Sequence, residues 1–285
     1  MYSLNPAAGR EQRLNLPATP SHAVDERLLG RVVVVSPHLD DAVLSLGATM
    51  AHAIESGAKV EVLTVFGCEP TSSAPTDEWD RKSGFATEGE AAKHRREEDW
   101  RACSILGAAP RWFDFGAQPY DRRASIEEVA SAVATATAGA DTVLIPGYPL
   151  AHADHAALSS ELLCRGLKCH TLGLYAEQPY SFDRRAIPSG PAEATPGASV
   201  RRETLPWQRA AADFTWQRSV AGFTWQRSAA RRKHRRLKLQ AVQQYASQLR
   251  SLGLRQVGVG DLRLRLMLWY EARQGGETIA WPNAT

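Results

Sequence analysis

Two short stretches carry side chains able to bind a cation or move a proton. Pro37-His38-Leu39-Asp40-Asp41 follows an apolar run, and His152-Ala153-Asp154-His155 lies more than 100 residues further on. A His/Asp/His set suits a catalytic zinc ion, because three protein ligands leave one position for water and zinc lowers that water's pKa to about 7. His38 and Asp41, three residues apart in a tight turn, could both face one ion. Only one of two adjacent aspartates can easily point the same way as His38, which leaves the other free to act as a base. Each cluster has a plainer reading when taken alone: Asp41 as a helix cap, and HADH as a solvated helix start. What decides between them is whether the fold brings the clusters together.

The elements around them say that it does. Val32 to Ser36 is a continuous apolar run, as expected of a strand buried on both faces. After Asp40-Asp41, Val43, Leu46, Met50 and Ile54 recur at helical spacing and Gly57 closes the helix. Val60 to Phe66 reads as a second buried strand, completing a βαβ unit with parallel strands and a right-handed crossover. A polar loop at 67–89 is long enough to belong to an active site. A helix over 90–106, a short strand over 111–115, a helix over 125–138, a strand over 142–146, a helix ending at Gly166 and a strand over 171–176 follow. This alternation predicts an α/β fold: a Rossmann-like, mainly parallel sheet with helices on both faces. With strand order 3-2-1-4-5, strands 1 and 4 are neighbours at the point where the order reverses. Ligands bind there, beyond the carboxyl ends of the strands. Strand 1 ends in PHLDD and strand 4 leads into HADH, so the two clusters should meet.

The organisation expected is an N-terminal arm over 1–30, a core over 31–180 and a C-terminal lid or helical extension over 181–285. The arm lacks the apolar segment of a secretory signal, and no run approaches the 18 apolar residues of a membrane span. Four cysteines without CxxC pairing suit a reduced, cytoplasmic setting, and Cys164 and Cys169 read as small buried hydrophobes rather than as a metal clip with His170. The 285 residues carry a net charge of +3, unevenly spread. Residues 1–199 hold 18 Lys or Arg against 26 Asp or Glu, whereas 200–255 hold 13 against 2.

The extension contains a repeat: Trp207-Gln208-Arg209, Trp216-Gln217-Arg218 and Trp225-Gln226-Arg227, nine residues apart. A nine-residue step turns about 900° on a helix, putting successive Trp on opposite sides, so a strand hairpin or irregular lid fits better. Ala229 to Leu252 reads as one long basic helix. Leu262 to Ala272 is ambiguous between helix and strand. A basic run (Arg231-Arg232-Lys233-His234-Arg235-Arg236) near Trp216 and Trp225 could also serve a nucleic-acid or anionic-surface module. That reading leaves PHLDD and HADH unexplained, and no nucleic-acid partner is expected.

PHLDD followed by HADH resembles the PIG-L/LmbE family of zinc-dependent N-acetylglucosamine de-N-acetylases, whose motifs are usually AHPDDE and HxDH. The resemblance covers roughly residues 31–180. Arg95 and Glu98 match its RxxE helix, Tyr175 to Tyr180 its fifth-strand segment, and Lys238 with Ser247-Gln248 its C-terminal helix. It implies that His38, Asp41 and His155 bind Zn2+ (or another divalent metal). It further implies that Asp40 is the general base, that His152 is the acid or oxyanion stabiliser, and that Asp154 tunes His152. Arg95 would hold a hydroxyl or phosphate of the substrate. Tyr148 in the strand-4 loop, and Trp216 and Trp225 with faces suited to sugar rings, complete the expected substrate wall. Leu39 stands where the family usually has Pro, and Ala42 where it usually has Glu. The implied reaction is removal of an N-acetyl group from an amino sugar or glycoconjugate, a small-molecule substrate such as a glycosylated natural product. A thiol-conjugate amidase of the same family is the competing expectation.

Overall fold

The computed structural model describes residues 23–117, 124–183, 190–191, 222–228, 230–255 and 260–283. Strand β1 (Arg31–Ser36) leads into helix α1 (Asp41–Glu55), then β2 (Lys59–Thr64), short α2 (Glu78–Lys82), α3 (Glu88–Leu106) and β3 (Ala109–Trp112). Next come α4 (Ile126–Thr137), β4 (Thr142–Tyr148), α5 (Ala153–Arg165), β5 (Thr171–Ala176) and α6 (Tyr180–Asp183). The remaining elements are β6 (Gly190–Pro191), β7 (Phe223–Arg227), α7 (Arg232–Val242), α8 (Ala246–Ser251), α9 (Leu262–Arg273) and β8 (Thr278–Pro282).

One sheet runs β3-β2-β1-β4-β5-β8-β7-β6. Its first five strands pair in parallel, and β8, β7 and β6 add on antiparallel. β1 therefore lies between β2 and β4, and the order reverses there as the sequence predicts. Strand periodicity divides the core in two. Val32 and Val34 face a cluster with Leu46 and Met50 of α1, Cys103 of α3 and Ala241 of α7. Val33 and Val35 face the other cluster, with Val129 and Val133 of α4 and Leu158 and Leu162 of α5. A continuous Val run is what burial on both faces requires.

Helix boundaries follow local chemistry. Ser125 and Glu128 form a reciprocal capping box at the start of α4, which satisfies two otherwise unpaired N–H groups. Thr87 caps α3, and Gly107 closes it at φ 82°, a left-handed conformation that glycine adopts without strain.

The C-terminal part departs from expectation in three ways. The basic segment is not one helix: it breaks between α7 and α8. Tyr245 is fully buried and its hydroxyl donates to Asp99 of α3 at 2.6 Å. The Glu98 carboxylate accepts the Ser247 N–H at 2.9 Å and its hydroxyl at 2.7 Å, so a neighbouring helix supplies the cap that starts α8. Secondly, the segment over 262–273 is helical. Thirdly, the extension is part of the sheet, since β8 hydrogen-bonds to β5. Its Ile279 and Trp281 join one core cluster and Ala280 the other. The third strand begins at Ala109 rather than Arg111. Cys164 is exposed rather than buried.

Lys238 crosses α1 at Gly47, where a Cβ would stand 2.9 Å from its Cγ. Its buried ammonium lies 2.9 Å from Glu271 and 2.7 Å from Glu277. Glu277 in turn accepts the N–H groups of Ala48 and Thr49 inside α1, at 2.9 and 2.6 Å. This polar cluster ties α1, α7, α9 and β8 together. Among the described residues, no helix is long and apolar enough to cross a membrane.

Candidate metal centre

At the end of β1 the Ser36 hydroxyl donates to the His38 carbonyl at 2.6 Å and accepts the Ala42 N–H at 3.0 Å. That short loop turns the chain from strand into α1. It sets Asp41 in the first helical turn, where one carboxylate oxygen accepts the His38 N–H at 2.8 Å. Asp40, the residue before the helix, makes no side-chain cap bond. The structure thus gives the adjacent aspartates different surroundings, as the sequence expects.

On the other side of the switch point, β4 leads through Tyr148 and Leu150 to α5, whose first turn carries Asp154 and His155. The two clusters meet. His38 Nδ1 and Asp41 Oδ2 are 3.4 Å apart, His155 Nε2 and Asp41 Oδ2 are 3.2 Å apart, and the two ring nitrogens are 3.0 Å apart. Ligand atoms about 2.0–2.1 Å from a tetrahedral ion stand roughly 3.3 Å from one another. The triangle therefore has the size that such an ion needs. His38, His152 and His155 also offer nitrogens within 4.8 Å of one another. His152 is the poorer third ligand through Nδ1, which already accepts the Asp154 N–H at 3.2 Å; its ring is as near to the other two, at 4.8 and 5.1 Å, as they are to each other at 5.0 Å.

Carboxylates set the imidazoles. Asp154 Oδ2 lies 3.2 Å from His38 Nε2 but 3.9 Å from His152 Nδ1, so the side chain expected to tune His152 is nearer His38. A hydrogen on His38 Nε2 directed at Asp154 leaves the Nδ1 lone pair facing the triangle. Asp40, Asp41, Asp154 and Glu177 are all buried around this point, and so much enclosed carboxylate favours positive charge or retained protons among them.

These groups shift one another's protonation. Burial, with the adjacent Asp41 carboxylate, pushes Asp40 up to about 8 against the pull of His38, Arg95 and His155. Burial would also raise Asp41, but His155 and His38 hold it well below the usual carboxylate range. Burial would lower His155, and Asp41 and Glu177 on either side instead bring it up to about 10. Arg95 is ion-paired with buried Asp80 of α2, close enough to Asp40 to bias its proton. Asp80 ties the loop over 67–89 to Arg95.

Of the expected substrate residues, Tyr148 ends β4 half-buried, its ring 6.2 Å from Trp225. Trp225 is only 6% exposed. It sits on β7, pairs with Ala280 and packs over Gly147, where a Cβ would stand 3.0 Å from its ring. Its faces serve the core rather than a sugar, because Phe223 and Trp225 take the inward positions of a strand. Trp216 and the first two repeats lie outside the described residues. The basic run is partly used internally: Lys233 and His234 bond Glu55 of α1.

Two contributors lie in segments that the sequence resemblance covers but to which it gave no role. Gln248 donates its side-chain amide to the Leu39 carbonyl, bracing the PHLDD turn from α8. Glu177 bonds His155 Nδ1 and accepts the Leu150 N–H at 2.8 Å. Its signals were a carboxylate just after an apolar strand and its place in the Tyr175–Tyr180 segment.

The fold and this geometry define a candidate divalent-metal centre at the switch point of a doubly wound sheet. Residues 33–163 match the PIG-L family model, described as GlcNAc-PI de-N-acetylase. A 2'-N-acetylparomamine deacetylase of Streptomyces fradiae is 34% identical over 195 residues, covering 59% of this chain and 64% of that protein. The match thus spans just under two thirds of that relative. A triple-mutant deacetylase from the teicoplanin biosynthetic pathway is 26% identical, with a TM-score of 0.63 over 88% of this chain and 97% of its own. An A40926 pseudoaglycone deacetylase is 25% identical, with a TM-score of 0.62 over 88% and 96% of the two chains.

Proposed function

We propose that this chain is a divalent-metal-dependent N-deacetylase, which hydrolyses an acetamido group on an amino sugar of a glycosylated natural product to acetate and a free amine. The observation that carries the reading is the His38–Asp41–His155 triangle, with edges of 3.0–3.4 Å. Similarity to deacetylases named for antibiotic substrates supports the substrate class. His38, Asp41 and His155 would hold the metal; two imidazoles and a carboxylate suit zinc, and other divalent ions fit the same donors. When bound, such an ion polarises the acetamide carbonyl and lowers the pKa of water.

The protein's own groups supply the proton transfers. Asp40, buried beside the triangle without a capping duty, accepts a proton from the water that attacks the carbonyl carbon. His152 accepts the Asp154 N–H on Nδ1, so its hydrogen sits on Nε2. From there it donates a hydrogen bond to the developing oxyanion, and the proton that Asp40 took from water passes to the departing nitrogen as the C–N bond breaks. Arg95, fixed by Asp80, offers its remaining donors to substrate hydroxyls. Buried Trp225 supports the Tyr148 wall from behind instead of stacking on the sugar.

An acetate-release assay over N-acetylated pseudodisaccharides and glycopeptide aglycones bearing N-acetylglucosamine tests the reading. Acetate and free amine should appear in equal amounts from at least one of these. Turnover of thiol-conjugate amides alone would instead favour the amidase expectation.

A further inference from the structure

We propose that Glu177 is a positioning residue: it fixes the His155 tautomer and, with the same carboxylate, the backbone of the loop that carries His152. The proposal rests on the metal-centre reading above. Glu177 directly follows β5 and its side chain is fully buried. One carboxylate oxygen bonds His155 Nδ1 and the other accepts the Leu150 N–H at 2.8 Å. Its own N–H donates to the Tyr148 carbonyl at 2.6 Å. It thus grips the β4–α5 connection at both ends.

The consequence is chemical. An ionised carboxylate only accepts hydrogen bonds, so the ring nitrogen facing it carries the hydrogen. With the hydrogen on Nδ1, the Nε2 lone pair faces Asp41 and His38, as ligation requires. Leu150 adopts φ 51°, a left-handed conformation that is unfavourable for a branched side chain and persists where surrounding contacts hold it. The Glu177 bond to the Leu150 N–H is such a contact. One residue therefore aims a metal ligand and sets the approach of His152, the proposed oxyanion stabiliser.

Glu177→Gln separates this role from simple filling of space. The amide has one acceptor and one donor side. The Leu150 N–H is a fixed donor, so it takes the amide oxygen and leaves the NH2 facing His155 Nδ1. The ring then relieves the clash of donors by moving its hydrogen to Nε2, where the metal lone pair is needed.

The experiment is zinc titration of metal-stripped protein against a chromophoric chelator, comparing wild type, Glu177→Gln and His155→Ala. Zinc binding should weaken about 10- to 100-fold in Glu177→Gln and be lost in His155→Ala. Wild-type zinc affinity in Glu177→Gln, with zinc lost in His155→Ala, overturns the positioning role and leaves the metal centre standing. Wild-type affinity in His155→Ala overturns the centre and the proposal together. Should Glu177→Gln fail to fold, 15N-histidine NMR of zinc-loaded wild type decides. The proposal requires the His155 hydrogen on Nδ1, and a hydrogen on Nε2 contradicts it.

Discussion

At the residue scale the two adjacent aspartates separate most sharply. Asp41 accepts the His38 N–H and stands at ligand distance from both imidazoles, whereas Asp40 makes no cap bond and lies in the field of Arg95. Asp41→Asn removes charge from the metal triangle, so purified protein should contain little metal. Asp40→Asn keeps shape and metal but removes the proton acceptor, and kcat should fall by about 10²- to 10⁴-fold with no recovery on adding zinc. Metal analysis beside steady-state kinetics reads both outcomes; the reverse pattern would exchange the two roles. The sequence made this pair legible because three chemically potent side chains ended an apolar strand. Glu177 stayed hidden since one acidic residue after a strand has many ordinary explanations. The nearer partner of Asp154 was hidden too: HADH places it two residues from His152, and only the fold brings it to His38.

At the element scale, β1, α1, β2, β4 and α5 were readable because burial on both faces leaves continuous apolar runs, and helix faces leave a 3.6-residue period. The C-terminal part was less readable for a physical reason. Strand β7 is one copy of a repeat whose inward and outward positions do not reveal its partner, and β8 pairs with β5 about 100 residues earlier in the chain. Lys238 points inward although Arg232, Lys233 and Arg236 of the same helix are exposed, so charge alone did not mark its burial. Two expectations follow. Trp225→Ala should destabilise the fold by about 3–5 kcal/mol, as truncation of a large buried aromatic does, read as a lower denaturation midpoint at unchanged m-value. Lys238→Met strands Glu271 and Glu277 without their cation and should cost about 3–5 kcal/mol. Pairing it with Glu271→Gln should return part of that loss, and a strictly additive double mutant would contradict the coupling.

For the whole molecule, the Lys238–Glu271–Glu277 cluster makes the joint between sheet, α1 and the C-terminal helices sensitive to pH. Burial, aided by nearby Glu277, raises Glu271 from 4.5 to about 7 despite the opposing pull of Lys238. Its folded form holds a proton that the unfolded chain releases near 4.5. This contribution to stability is full below pH 4.5, falls as pH rises towards 7, and changes little above. Subtracting the Tm profile of Glu271→Gln from that of wild type should leave a difference that declines between about pH 4.5 and 7. A flat difference would mean that Glu271 ionises normally.

The molecule as a whole brings a strand end and a helix start, more than 100 residues apart, together at one point, where we propose a single cation binds. The most direct measurement is acetate release from an N-acetylated pseudodisaccharide by metal-stripped protein, with zinc, cobalt or manganese added back stepwise. Activity should be absent without metal and return in proportion to bound ion, saturating near one equivalent per chain; His38→Ala and His155→Ala should not recover. Full-rate acetate release by the metal-free protein, or full recovery in His38→Ala, would contradict the account.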